Sequence, residues 1–158
     1  MKNMLCAITA VVLALPLMAE EAEVPYPEGY RDWYHVKSMV IEQGHPLYAA
    51  FGGIHHIYAN DQALEGYQSG QFPDGAVIVF DLLEAHHEGS AVTEGARKVA
   101  GVMHKNAEWY PETGGWGFEG FGAGDPDNRV VGPDGSGACF ACHAPQKDFD
   151  FVFSRLRD

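Results

Sequence analysis

The stretch Ala76-Val77-Ile78-Val79-Phe80-Asp81-Leu82-Leu83 is the clearest strand signal in this chain of 158 residues. It is rich in β-branched and aromatic residues, and it follows the turn signal Phe72-Pro73-Asp74-Gly75. The composition agrees, because 19 glycines and 9 prolines make the chain too rich in turns for a helical bundle. We therefore expect sheet and loops to dominate.

Three more strands are predicted, over residues 54 to 59, 96 to 106 and 115 to 121. In the second of these, alternation places Val99, Gly101 and Met103 on one face. Residues 28 to 43 show another pattern, because apolar side chains recur there at spacings of three and four, at Tyr30, Trp33, Val36 and Val40. This spacing predicts an amphipathic helix that ends at Gly44.

The strongest chemical signal is Cys139-Phe140-Ala141-Cys142-His143, the C-x-x-C-H pattern of c-type haem attachment. Two thiols at this spacing can bond to the two vinyl groups of one haem, and His143 is then delivered to the iron as an axial ligand. The rivals are weaker. A zinc site needs four ligands, a thioredoxin-like pair belongs near an early βα junction, and a plain disulfide leaves His143 unexplained.

The order of these elements predicts an α+β domain, with a predominantly antiparallel β-sheet, an N-terminal helix and a C-terminal c-type haem motif. Small electron-carrier cytochromes c recruit a methionine from beyond the motif, and no methionine follows His143. The helical cytochromes c-prime are four-helix bundles, for which the strand at residues 76 to 83 is unsuited.

Residues 1 to 19 have the features of a signal peptide, with Lys2, an apolar stretch from about Leu5 to Leu17, and the small residue Ala19. The apolar stretch is shorter than the about 20 residues of a membrane span. We expect cleavage near Ala19 and a periplasmic location. The mature chain then has 158 − 19 = 139 residues and forms a single haem c domain over residues 20 to 158.

The charge excludes one class of partner. Lys and Arg number 10 against 22 for Asp and Glu, so the net charge is −12 and there is no basic surface for nucleic acid. An acidic surface suits a basic redox partner protein, although it is also an ordinary solubility feature.

The second axial position of the iron decides between functions, because an iron with one protein ligand is open to gases or substrates, whereas two strong ligands are typical of electron carriers. The candidates are two methionines and seven histidines, namely Met39, Met103, His35, His45, His55, His56, His86, His87 and His104. We expect the methionines to pack in the core, and His86 and His87 to lie in an exposed connection over residues 84 to 95. His55 and His56 are expected on opposite faces of a strand.

Four segments together resemble one family, cytochrome c-prime-beta, the β-sheet group related to the hydroxylamine-oxidising cytochromes whose haem is cross-linked to a lysine. The segments span nearly the whole mature chain: Phe51-Gly52-Gly53-Ile54-His55-His56-Ile57-Tyr58-Ala59-Asn60, Phe72 to Phe80, Gly114-Gly115-Trp116-Gly117-Phe118-Glu119, and the motif at Cys139 to His143.

The resemblance implies a homodimer, one covalently bound haem c, a five-coordinate iron with His143 as its ligand, and a distal pocket that faces the sheet. It also implies that Phe51 and Phe80 cap the distal side. The strand at residues 76 to 83 contains no lysine, so the cross-link of the catalytic relatives is not expected here.

Three functions follow as hypotheses. The first is binding of NO or CO, because two aromatic rings over the iron exclude water and offer no hydrogen bond to anionic ligands. The second is electron transfer. The third is oxidation of hydroxylamine or reduction of peroxide, which needs proton acceptors near the iron; His55, His56 and Glu108 are the candidates whose position the sequence leaves open.

Overall fold

The computed structural model describes residues 22–157, except for the side chains of Pro133 and Asp134, so the predicted signal peptide lies outside the described residues. Within this range, five strands form one antiparallel sheet in chain order: β1 Tyr34–Ile41, β2 Gly53–Ala59, β3 Val77–Glu88, β4 Ala91–Lys105 and β5 Trp116–Gly122. The same described residues include three helices, α1 Tyr48–Phe51, α2 Asp61–Ser69 and α3 Gly132–His143. Short 3-10 turns cover Tyr30–Asp32, Pro111–Thr113 and Ala144–Phe149. In the described range no helix is long and apolar enough to cross a membrane.

The predicted N-terminal helix over residues 28 to 43, and the fold class that depends on it, are wrong. This segment forms a 3-10 turn at Tyr30–Asp32 and then the edge strand β1. A shift in register between His35 and Lys37 interrupts the alternation of β1. Of the four apolar residues at helix-like spacings, Tyr30 and Trp33 precede the strand, and only Val36 and Val40 belong to it. Pairing with β2 decides the conformation, and Val40, which a helix would bury, is exposed.

The register of the strands defines two surfaces. Residues opposite each other in an antiparallel sheet share a face, so the row Ile57, Phe80, Gly101 and Gly120 marks what we call the front face. The row Tyr58, Val79, Val102 and Glu119 marks the back face. Each face carries its own apolar core, and Val99, Gly101 and Met103 share the front face as their alternation predicted.

The front face has no side chains at two neighbouring positions, because Gly101 on β4 pairs with Gly120 on β5. A methyl group at Gly120 would lie 2.8 Å from Cγ2 of Val130. The glycine therefore allows the chain that leads into α3 to approach the sheet closely.

The segment over residues 84 to 95, predicted as an exposed connection, is instead a two-stranded ribbon. Strands β3 and β4 run on together to a tight turn at Gly89 and Ser90. His86 and His87 lie on this ribbon and are exposed, as predicted.

The back face contains a fully buried carboxylate. Asp81 is 0 % exposed and accepts hydrogen bonds from two arginines. Arg97 Nε donates to Oδ1 at 2.6 Å, whereas Arg31 donates to Oδ2 from Nε at 3.2 Å and from Nη2 at 3.1 Å. Because Arg31 belongs to the 3-10 turn before β1, this network ties the N-terminal segment to the centre of the sheet.

Candidate functional site

The C-x-x-C-H motif forms the last turns of α3, which packs against β5. Cys139 and Cys142 are three residues apart on this helix and therefore lie on the same side of it. Both are free thiols; Cys139 is half-buried against the front core, and Cys142 is exposed. Burial, followed by the nearby Cys142, raises the pKa of the Cys139 thiol. Two free thiols on one side of a helix fit the covalent attachment of a haem.

His143 is half-buried beside two aromatic rings. Its ring centroid lies 5.1 Å from that of Phe118 and 4.9 Å from that of Phe153. Nδ1 donates a hydrogen bond of 2.8 Å to the carbonyl oxygen of Phe151, which leaves the lone pair of Nε2 for a metal. Burial lowers the pKa of His143, which favours the neutral form that binds iron. The imidazole therefore fits an axial ligand.

Hydrogen bonds to the preceding residue, Asp150, fix the position of the Phe151 carbonyl. Both residues adopt left-handed backbone conformations, with φ of 50° at Asp150 and 65° at Phe151. Residues other than glycine rarely adopt this conformation unless the surrounding structure holds them in it. The Asp150 carboxylate accepts hydrogen bonds from Lys105 Nζ at 2.7 Å and from the backbone of Phe72 at 2.9 Å. The Asp150 carbonyl accepts another from Trp116 Nε1 at 2.8 Å. No sequence motif marks these hydrogen bonds, which hold the partner of His143 in place, and the sequence analysis missed them.

The predicted distal residues Phe51 and Phe80 are brought together. Their ring centroids lie 5.7 Å apart and the rings are almost perpendicular, with an angle of 81°. Phe80 projects from the front face of β3 and packs against the same core as Cys139. Phe51 ends α1, and 42 % of its surface is exposed.

His55 and His56 lie on opposite faces of β2, as alternation predicted. His55 pairs with Leu82 and faces front, whereas His56 pairs with Asp81 and faces back. His56 Nδ1 is 2.6 Å from Ser38 Oγ, and its Nε2 is 2.6 Å from Glu94 Oε1. His56 is therefore remote from the motif.

The remaining ligand candidates are scattered. Met39 is 48 % exposed on β1, so the prediction that it packs in the core is wrong, whereas Met103 packs against the front core. His104 faces back beside Trp109, and Glu108 is exposed. Within residues 22–157, no group of three or more His, Cys, Asp or Glu side chains is placed to hold a metal ion.

A comparison with family models decides the relationship. The model described as Cytochrome P460 matches residues 27–154, which include all five strands and the C-x-x-C-H motif. The chain belongs to the cytochrome P460 family. No curated protein matches the chain.

Membership in the cytochrome P460 family makes this chain a c-type cytochrome with covalently bound haem. The relationship predicted from the sequence is confirmed at the level of this family. Bound haem supplies an iron that can change oxidation state and take a small ligand. The thiols of Cys139 and Cys142 and the imidazole of His143 fit the attachment and ligation of such a haem.

Proposed function

We propose that this P460-family cytochrome is a periplasmic protein that binds an uncharged diatomic gas, NO or CO, at a five-coordinate iron. Cys139 and Cys142 attach one haem, and His143 is the protein ligand of its iron. Phe51 and Phe80 cap the opposite side. The predicted signal peptide supports export, and a basic partner protein that suits the net charge of −12 would exchange electrons with the haem.

The observation that carries the proposal is the edge-to-face pair of Phe51 and Phe80 on the side of the sheet where α3 packs. Two phenyl rings offer neither a proton donor nor a proton acceptor, so water and anions would lose hydrogen bonds on entering the space beside them. An uncharged diatomic gas loses few hydrogen bonds on entering the same space. The strand β3, which carries Phe80, contains no lysine, so the cross-link of the catalytic relatives is not expected here.

A visible spectrum of the reduced holoprotein, recorded before and after addition of NO, tests the proposal. We expect a high-spin spectrum that changes to that of a nitrosyl haem, because one axial position is open. A low-spin spectrum that is indifferent to NO would contradict the proposal and indicate an electron carrier with two protein ligands. Turnover of hydroxylamine by the purified protein would favour an enzyme instead.

We also propose that the holoprotein is a homodimer. The edge strand β1 exposes Tyr34 and Val40, which are 45 % and 44 % accessible, and an exposed apolar edge favours burial against another chain. Sedimentation velocity of the holoprotein should show twice the mass of the mature chain. A species with the mass of one chain at all concentrations would remove this part of the proposal.

A further inference from the structure

Two histidines of the back face converge on the exposed side chain of Ser38. His35 and Ser38 lie on β1, and His56 lies on β2. Nε2 of His35 is 2.9 Å from Ser38 Oγ, and Nδ1 of His56 is 2.6 Å from the same atom. The ring centroids of the two histidines are 5.7 Å apart. Two imidazole nitrogens from neighbouring strands are therefore directed at one point of the surface.

The register shift in β1 creates this arrangement. Residues three apart in a regular strand point to opposite faces of the sheet. His35 instead pairs with Tyr58 and Ser38 pairs with His56, so the shift between His35 and Lys37 brings His35 and Ser38 to the same back face. Such bulges redirect side chains and occur often beside functional sites.

A carboxylate on β4 sets the tautomer of His56. Oε1 of Glu94 is 2.6 Å from Nε2 of His56, and an ionised carboxylate only accepts hydrogen bonds, so Nε2 carries the proton. The lone pair of His56 is then at Nδ1, on the side of Ser38. Metal-bound histidines almost always donate their other N–H in this way, often to a carboxylate, which orients the ring and makes the ligand more basic.

His35 can supply a second nitrogen ligand. Burial, followed by the charges of Arg157 and His56, lowers the pKa of His35, which favours the neutral imidazole that a metal ion binds. The hydrogen bond from Ser38 accounts for only one of the two histidines, because one hydroxyl group has one proton to donate. A cation at this point would accept a lone pair from both rings.

We propose that Nε2 of His35 and Nδ1 of His56 bind a divalent transition-metal ion on the back face, beside the hydroxyl group of Ser38. Glu94 is the positioning residue of this site. Imidazole ligands favour Cu²⁺ over Zn²⁺ in the general order of affinities, so Cu²⁺ is the expected ion. Water completes the coordination, and the affinity is lower than that of a closed site with four protein ligands. The site is separate from the haem motif and goes beyond the proposed gas binding.

A catalytic nucleophile is the alternative that these contacts suggest, with Ser38 attacking, His56 as the base and Glu94 orienting the base. Ser38 is exposed on a sheet strand. A nucleophilic serine works in a pocket that holds the substrate, beside donors that stabilise the oxyanion. A metal ion needs only the two lone pairs and solvent, so the exposed position of Ser38 favours the metal site.

Calorimetric titration of the oxidised holoprotein with Cu²⁺ tests the site, and we expect one ion per chain. Glu94→Gln keeps a hydrogen-bond acceptor without the charge and should weaken binding by about tenfold. His35→Leu and His56→Leu each remove a ligand and should weaken binding by more than that. His87→Leu is the matched control, because His87 is also an exposed histidine beside a carboxylate, with Nε2 4.0 Å from Oε1 of Glu42, and it should leave the affinity unchanged.

Pulsed electron paramagnetic resonance of the bound Cu²⁺ counts its imidazole ligands. Two should be present in the wild-type protein and one in His35→Leu, whose circular dichroism and haem spectrum should match those of the wild type. Equal Cu²⁺ affinities in the wild type, His35→Leu and His56→Leu would overturn the site, as would a wild-type protein that binds no Cu²⁺. Acylation of Ser38 by p-nitrophenyl acetate in a protein that binds no Cu²⁺ would assign these residues to a nucleophile and overturn it too. The gas-binding function would stand in each of these cases.

Discussion

Replacement of Phe80 by alanine is expected to raise the association rate constant of CO with the reduced holoprotein by about tenfold, which corresponds to about 1.4 kcal/mol of barrier. Phe80 stands opposite Gly101, which has no side chain to fill the space directly across β4. A ligand that now displaces the ring would enter an open pocket. Flash photolysis of the CO complex measures the rate.

Phe51→Ala is the companion variant. Because 42 % of the surface of Phe51 is exposed, its removal should change the rate in the same direction but by a smaller factor. Phe80→Leu, which keeps most of the apolar volume, should lie between wild type and Phe80→Ala. Rates unchanged in both alanine variants would remove the cap from the mechanism of ligand binding.

Arg97→Met is expected to lower the free energy of unfolding by about 3 kcal/mol, the range seen when one partner of a buried ion pair is lost. The Asp81 side chain is 0 % exposed and, of its two arginine partners, would keep Arg31, whose side chain is 52 % exposed. Methionine preserves most of the length of the arginine, so the loss reports on charge and hydrogen bonds. Urea denaturation of the holoprotein, followed by circular dichroism, measures the change.

Arg31→Met provides the control for this network. Its longer contacts with Asp81 and its greater exposure predict a smaller loss, of about 1 kcal/mol. If the two arginine variants were equally stable, Asp81 would not depend on Arg97 in the way the 2.6 Å contact indicates.

Local sequence signals predicted the parts of the fold that depend on local chemistry. The strand that contains Phe80 stands out because its apolar residues are contiguous and follow a turn. Asn60 has a residue type common at helix N-termini, and its side chain caps α2 by accepting a hydrogen bond from the backbone N–H of Ala63. The predicted helix over residues 28 to 43 is wrong because the apolar spacing is a local signal, and the pairing of β1 with β2 overrides it.

The same contrast between local signals and long-range contacts applies to the candidate site. The attachment motif is legible in five consecutive residues, and the alternation of β2 correctly separated His55 from His56. Contacts between segments that are distant in the sequence could not be predicted. The hydrogen bond between His143 and Phe151 depends on Lys105, which lies 45 residues from Asp150 in the sequence and joins it only when the sheet is complete.

With His143 as the proposed ligand of the iron, that hydrogen bond links the redox midpoint of the haem to the local folding of residues 149 to 153. A histidine that shares its Nδ1 proton with a carbonyl donates more electron density to iron, and so favours the oxidised metal. The direction of the carbonyl depends on the left-handed turn at Asp150 and Phe151, whereas the proposed thioether bonds at Cys139 and Cys142 do not. Partial unfolding of residues 149 to 153 would therefore raise the midpoint potential while the haem stays attached. A redox titration would detect this local unfolding, whereas a measurement of haem release would not.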